Sequence, residues 1–472
     1  MRKRSIKKIF EQLLVVDAGA KGKSIAKAPD GKVVFIPNAI PGDVVTVQTT
    51  KSRKAYYEAN AIDFHEYSEH RVAPICKHFG TCGGCKWQHM AYDTQLFYKQ
   101  KEVEQNLLRI GGLTLPDAIP ILPAPEPFYY RNKMEYSFSN AKWLTKEEIE
   151  QNISIDNKNA LGFHIPRFWD KILDLEECHL QDPMGNTLRL FVKDKAEELG
   201  LRFFDPRGQH GHLRSLMLRN TTLEQWMVLI QFYEDDPELR VALLSAIAEQ
   251  FPKVTSLLYV INQKGNDTIY DQDIHCFKGQ DYIVEQMGHL SFHINAKSFY
   301  QTNSQQAHHL YKVVRDFAQL SGKELVYDLY TGTGTIAQFL ADQALKVVGI
   351  EAVPEAIIAA NANAKRNAID NTIFYVGDMK NLFTDEFIQA NGTPDVVITD
   401  PPRDGMHKDV VTQLLALAPN RIVYVSCNSA TQARDLAMMK DDYEIIRMQA
   451  VDMFPQTYHV ENVVLLEKIK RT

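Results

Sequence analysis

The chain has 472 residues, about three times the usual length of a single domain, and 45% of them are apolar against 24% charged. That excludes a small disulfide-stapled fold, and no stretch approaches the roughly 18 consecutive apolar residues that a membrane span needs. The net charge of −6 argues against a nucleic-acid partner overall, but residues 1 to 60 carry twelve Lys or Arg against five Asp or Glu, a basic module on a more acidic body.

The opening "MRKRSIKKIFEQLLVV" is basic, with an apolar run of four residues and no small-residue cleavage site. It does not read as a secretory signal, so a cytoplasmic protein is expected. From 9 to 63, short β-branched runs alternate with Gly and Pro turns, as in "GKVVFIPNAIPGDVVTVQTTK", which predicts a small β-barrel. These residues resemble the TRAM domain, an OB-like barrel whose implied role is RNA binding. The competing reading leaves Lys21, Lys23, Lys27, Lys51, Arg53 and Lys54 as a solvated face.

"CKHFGTCGGCKWQH", 76 to 89, then places three of the six cysteines within ten positions. In a reducing compartment this points to metal or redox chemistry rather than a disulfide. Cys76, Cys82 and Cys85 give three ligands, and Cys178, His78, His89 or His179 can be the fourth. Zinc and iron–sulfur both fit, and Cys82 with Cys85 alone fits a redox pair. A helix is predicted over about 92 to 112, where Leu96, Val103, Leu107 and Ile110 share one face before a Gly-Gly stop. Residues 120 to 290 mix strand-like runs ("KMEYSFS", "WMVLIQF", "TSLLYVI") with one helical stretch, "PELRVALLSAIAEQ", and predict an α+β middle domain.

From 291 the rhythm becomes strand, helix, strand: "ELVYDLY", "LKVVGIEAV", "TIFYVGDM", "PDVVITDPP" and "RIVYVSCN", with "YEIIRMQAV" and "HVENVVLLEKI" as a closing hairpin. Near-continuous apolar strands alternating with helices mean a parallel sheet covered on both faces. "DLYTGTGTIAQFL" runs a strand into Gly332, Gly334 and Ala337, and Glu351 ends the next strand. Glycines there let a ligand approach a helix start, and the acid can accept hydrogen bonds from ribose hydroxyls. NAD and S-adenosylmethionine both fit, which keeps a dinucleotide-dependent iron–sulfur oxidoreductase as a rival. Asp400 in "TDPPRDG" and Cys427 in "VSCNSATQA" then project from the carboxyl edge, a pair with no evident use in hydride transfer.

In order, the barrel, "CKHFGTCGGCKWQH", "YRNKMEYSFS", "FYQTNSQQ", "DLYTGTG", "GIEAV", "TDPPRDG", "VSCN" and "HVENVVLLEK" resemble the uracil-C5 RNA methyltransferase family, in its iron–sulfur, TRAM-bearing 23S ribosomal RNA branch. The resemblance implies three domains: a TRAM-like barrel over 1–67, an α+β middle domain over 68–290 whose 92–112 helix packs on the catalytic domain, and a Rossmann-like methyltransferase domain over 291–472. It implies S-adenosylmethionine as cofactor, held by Gln301, Tyr330, Gly332, Gly334, Glu351, Asp378 and Asp400. A [4Fe-4S] cluster on Cys76, Cys82, Cys85 and Cys178 is implied too, leaving Cys276 as a structural thiol.

The chemistry explains the remaining pair. Uracil C5 is too poor a nucleophile to take a methyl group until a thiolate has added at C6, and afterwards a base must remove the C5 proton. Cys427 matches the family's nucleophile and Glu461 its base; the bland alternatives are a buried thiol and a strand-end surface carboxylate. The substrate implied is a single-stranded or flipped uridine in RNA, most simply 23S rRNA, with transfer RNA as the alternative. Arg131 and Lys133 in "YYRNK" are candidate RNA contacts, and Arg403 fits either a phosphate or a surface salt bridge. A monomer suffices, and no membrane partner is expected. A catalytically silent RNA-binding protein is the second rival, distinguished by a Cys427 or Glu461 buried away from the cofactor cleft.

Overall fold

The computed structural model describes residues 7–117, 119–150 and 157–470. The first six residues, part of the basic opening, lie outside them. Five strands, Ile9–Ala18, Ser24–Lys27, Val33–Ile36, Val44–Ser52 and Tyr56–Glu66, close a barrel. Alternation along them sends Val15, Val34, Ile36, Val45, Val47 and Tyr57 inward as its core. Of the six basic residues noted above, Lys23 and Lys51 share Glu58 at 3.5 and 3.6 Å, whereas Lys21, Lys27, Arg53 and Lys54 are exposed.

The middle domain is built on a seven-stranded sheet in the order His275–Gly279, Val254–Ile261, Trp226–Phe232, Leu213–Asn220, Lys133–Ser139, Ala160–Ile165, Phe168–Asp174. Every residue of Trp226–Phe232 is buried, and the period of two sorts them between two cores. Trp226, Val228 and Ile230 pack under the helices Pro183–Glu198 and Pro237–Gln250, while Met227 and Leu229 join a core shared with the hairpin Tyr282–Met287/Leu290–Asn295 and the catalytic domain. The middle domain is thereby fused to the catalytic one through apolar contact.

The catalytic sheet runs Thr372–Val376, Lys346–Glu351, Leu325–Leu329, Val396–Thr399, Arg421–Ser426, Glu461–Lys468, Tyr443–Val451, Ile119–Leu122. Its first five strands in this order are parallel, and Glu461–Lys468 is inserted antiparallel beside Arg421–Ser426. Val326, Val347, Val396 and Val423 face one core, and Tyr327, Val348, Val397 and Ile422 the other, so both faces are buried as the apolar runs require. Ile119–Leu122, far upstream of residue 291, completes the edge. The helix Tyr92–Arg109 lies against the second face, with Val103 and Leu107 in its core and Asn106 bonded to Ser429 at 2.8 Å.

The cysteine segment sits at a three-way junction. Trp87 and Met90 pack with Ile40 and Ala18 of the barrel and with Tyr458 of the 452–460 loop between the last two strands. Among the described residues no helix is long and apolar enough to cross a membrane.

Candidate active site

Register assembles the site. Ser426 pairs with Asn462, so the next position sets Cys427 against Glu461; Thr399 pairs with Leu329 and Leu329 with Ile350, so Asp400, Tyr330 and Glu351 end neighbouring strands. A parallel sheet collects such residues at its carboxyl edge. Glu461 reaches the same edge because its strand runs the opposite way and begins there. Buried Gln432 fixes this apposition: its amide donates to Tyr424 O at 3.0 Å and Asn462 O at 3.3 Å, and it accepts from Asn462 Nδ2 at 2.8 Å. Asn428 caps the helix Ser429–Met439 through Ala430 N, and its Nδ2 holds the carbonyl of Arg403 at 3.0 Å, tying the Cys427 turn to the Asp400 loop.

The edge is crowded with carboxylates. Burial, then the charge of Asp400, holds the Glu461 carboxyl well above the usual range, and burial does the same to Asp400. Asp328, 1% exposed, is pushed up to about 7 by burial and by Asp400 and Glu351, against the lowering bond from Thr331. Among the described residues its Oδ1 has no hydrogen-bond partner. Burial, followed by Glu461 and Asp400, raises the Cys427 thiol to about 11, so the resting group is a thiol. Arg403, exposed, is the cation opposing these shifts at both Cys427 and Glu461, and together with burial it holds His459 neutral, at about 4.

The glycine loop and its partners lie alongside. Gly332 has φ +56° and nothing within 4 Å of where a Cβ would stand, whereas a Cβ on Gly334, φ +75°, would meet the Phe374 ring at 2.8 Å. The first glycine leaves room for a ligand and the second allows helix packing. Tyr330 has a positive φ of 62°, and its hydroxyl is pushed up to about 12 by burial and three acids. Glu351 accepts from Gly332 N at 3.2 Å and from Ala352 N and Val353 N at 2.8 and 3.0 Å. It thus anchors the loop, with lone pairs left for a hydroxyl. Gln301 is held by its carbonyl, which takes Asn132 Nδ2 at 3.0 Å. Asp378 is exposed and caps Lys380 N at 3.1 Å. An unpartnered Asp328 oxygen, open space at Gly332 and an excess of buried carboxylates together fit a cationic cofactor bearing a ribose, the chemistry of S-adenosylmethionine.

Cys76, Cys82, Cys85 and Cys178 all line one cavity of about 640 Å³, to which Cys427 and Glu461 do not contribute. Burial raises the four thiols, Cys82 to about 11 and Cys85 to about 12, and Gln88 donates to Cys85 Sγ at 3.3 Å. Among the described residues no group of three or more His, Cys, Asp or Glu is drawn together to hold a metal ion, so the expected iron–sulfur coordination is not displayed. Cys276 is exposed rather than packed, which corrects its reading as a structural thiol. Arg131 donates through Nε to Lys133 O, and Lys133 pairs with Glu135 at 2.7 Å; both line the same cavity.

Asp328 and His459 escaped the sequence reading: Asp328 lay hidden inside an apolar strand, and His459 carried no motif of its own. The 452–460 loop, between the two strands of the closing hairpin, contributes as well. That loop is anchored by a fully buried ion pair, Lys99 to Asp452 at 2.6 Å, with Lys99 also donating to Phe454 O and Tyr92 OH to Asp452. Gln95 and Gln456 bond each other through side chains at 3.0 Å, and Lys86 N and Trp87 N both donate to Gln456 O.

Residues 270–469 match the tRNA (Uracil-5-)-methyltransferase family and residues 12–62 the TRAM domain. A Bacteroides thetaiotaomicron protein named as an uncharacterized RNA methyltransferase is 54% identical over 451 residues, covering 95% of this chain and 99% of its own. A similarly named Porphyromonas gingivalis protein is 50% identical, with 96% and 98% covered. The crystal structure of the Pyrococcus abyssi tRNA (uracil-54, C5)-methyltransferase in complex with S-adenosyl-L-homocysteine superposes with a TM-score of 0.73 at 28% identity, over 96% of this chain and 100% of that one.

Proposed function

Because this chain belongs to the RNA uracil-5 methyltransferase family, we propose that it methylates C5 of a uridine in RNA with Cys427 as nucleophile and Glu461 as base. The observation that carries the reading is the pairing register, which sets Cys427 opposite Glu461 beside a carboxylate-rich cofactor edge.

S-adenosylmethionine, when bound, supplies an electrophilic methyl group. Gly332, Glu351, Tyr330, Gln301 and Asp400 would hold it, Glu351 having lone pairs for a ribose hydroxyl, and Asp378 would contact its adenine. Cys427 adds through sulfur to uracil C6, its proton passing to Asp400 so that Glu461 stays ionised, while the C5=C6 electrons move toward O4. Once C5 carries the methyl, Glu461 takes the remaining C5 proton, the C6–S bond breaks, and its electron pair returns to sulfur. Arg403 offsets negative charge on both groups. The uridine must be unstacked to meet sulfur and methyl from its two faces.

The substrate class in this proposal is 23S rRNA. The Pyrococcus abyssi tRNA enzyme, alignable over 96% of this chain, keeps transfer RNA as the second reading, because the whole-chain architecture occurs in a tRNA enzyme too. Cys76, Cys82, Cys85 and Cys178 are the residues that would hold an iron–sulfur cluster, supported by their lining one cavity with soft thiolate donors. The decisive experiment is transfer of labelled methyl to RNA from cells lacking this protein, followed by mapping of 5-methyluridine in rRNA and tRNA. Folded, cofactor-binding protein that labels neither sinks the reading.

A further inference from the structure

The cavity beside the cysteines contains two polar groups that the methyl-transfer chemistry does not use. Arg219 is 1% exposed and Tyr300 4%, both line the cavity, and among the described residues neither Arg219 Nη2 nor the Tyr300 hydroxyl has a hydrogen-bond partner. Arg219 spends Nη1 on Asn295 O at 3.2 Å and Ser298 O at 3.0 Å and makes no carboxylate ion pair among the described residues. A buried guanidinium with an unsatisfied donor and a buried hydroxyl without a partner among the described residues are each costly, and a cost of that kind on a cavity wall points to a ligand that removes it. Both groups donate, so the ligand accepts, and an anion satisfies the guanidinium's charge as well.

The surroundings narrow the class. Burial depresses the Arg219 guanidinium to about 10 against the raising influence of Tyr300, Glu135 and Glu285, and both Arg219 and Tyr300 stand on the wall of the same cavity. Glu135 on the wall is already paired with Lys133, and Arg131 adds a second cation. The cavity's volume of about 640 Å³ lies within the range of small-ligand sites. Its position matters most: Tyr300 directly precedes Gln301, and Thr457, also on the wall, belongs to the loop that leads into Glu461.

We infer that Arg219 and Tyr300 form a phosphate subsite for the RNA strand next to the target uridine, gripping its backbone while the base enters the Cys427 site. This rests on the reading of the protein as an RNA methyltransferase. A phosphate there fixes the register of the strand without reading its sequence.

The test compares wild type, Tyr300→Phe and Arg219→Gln in methyl transfer to RNA from cells lacking this protein, with melting temperature and S-adenosylmethionine affinity measured alongside. Tyr300→Phe deletes a hydroxyl that bonds nothing in the free protein, so its melting temperature and cofactor affinity should be unchanged or higher, while KM for RNA rises about tenfold. Arg219→Gln should flatten the dependence of log(kcat/KM) on log salt by about 0.7, the contribution of one phosphate on a single strand. Should Arg219→Gln fail to fold, the Tyr300→Phe result decides. Transfer by wild type with an unaltered KM in Tyr300→Phe overturns the phosphate site alone; no transfer by wild type overturns the functional reading and the subsite together.

Discussion

Cys427 and the set formed by Cys76, Cys82, Cys85 and Cys178 are thiols of the same kind in opposite settings. Burial raises the pKa of all five. Cys427 stands alone at a strand end, its place dictated by hydrogen-bond register, and its charged neighbours are Glu461, Asp400 and Arg403. The other four stand on loops, positioned by side chains: Gln88 reaches Cys85, and Asn186 brackets Cys178 from both its N–H at 2.8 Å and its carbonyl at 3.1 Å. Two buried carboxylates, Glu461 and Asp400, stand beside the solitary thiol. The density of cysteines in a sequence therefore marks where sulfur is gathered, and the sheet edge marks where a sulfur can react.

Replacement of Cys427 should have the largest effect. Cys427→Ala is expected to lower methyl transfer by about 10⁵-fold or more, as loss of a covalent nucleophile does, with S-adenosylmethionine binding intact by calorimetry. Glu461→Gln should cost about 10² to 10⁴-fold in turnover and differ in kind, because the step it blocks follows covalent bond formation. A protein–RNA adduct stable on a denaturing gel should accumulate with Glu461→Gln and be absent with Cys427→Ala. The sign of the pH dependence follows from the raised carboxyls: in the folded protein Glu461 and Asp400 keep protons above the usual carboxylate range, so activity should climb with pH across neutrality rather than near pH 4 to 5, and Glu461→Gln should weaken that rise, leaving the part that Asp400 and Cys427 contribute. An equal adduct in both variants would break the contrast between nucleophile and base.

The two regions meet at the 452–460 loop, which lends itself to a stability test. Lys99 and Asp452 are both fully buried, and removing one partner leaves a charge without compensation. Lys99→Met should destabilise the fold by about 3 to 5 kcal/mol in urea unfolding, and Lys99→Met with Asp452→Leu should recover much of it. A loss below about 1 kcal/mol would mean that the loop is held by its other bonds, those of Gln95, Lys86 and Trp87 to Gln456.

How much of this was legible in the sequence depended on range. The apolar runs and the glycine turn are local signals, and the strands at 325–329, 346–351, 372–376, 396–399 and 421–426 fall where those runs stand. Ile119–Leu122 was not legible as a member of the catalytic sheet, since its partner Tyr443–Val451 lies more than 300 residues away and a four-residue strand carries no record of its neighbour. Lys99 and Asp452 are invisible for the same reason: each reads as a polar residue on a surface until the fold buries both. Asp328 was masked by its apolar strand, where a single acid looks like the polar half of an alternation. Cys427 and Glu461 were legible by resemblance, but their apposition needed the antiparallel register.

The smallest expected effect sharpens the opening contrast most. Cys82→Ser removes one sulfur from a cavity to which neither Cys427 nor Glu461 contributes, and the connection from that region to the site runs through backbone N–H groups of Lys86 and Trp87, which the substitution leaves in place. In protein that remains folded by circular dichroism, turnover on saturating RNA should therefore fall by less than tenfold, about 1.4 kcal/mol, with any larger change confined to KM. A fall of a hundredfold or more in turnover, with melting temperature and cofactor affinity unchanged, would place the clustered thiols inside the chemistry and remove the distinction between gathered and reactive sulfur.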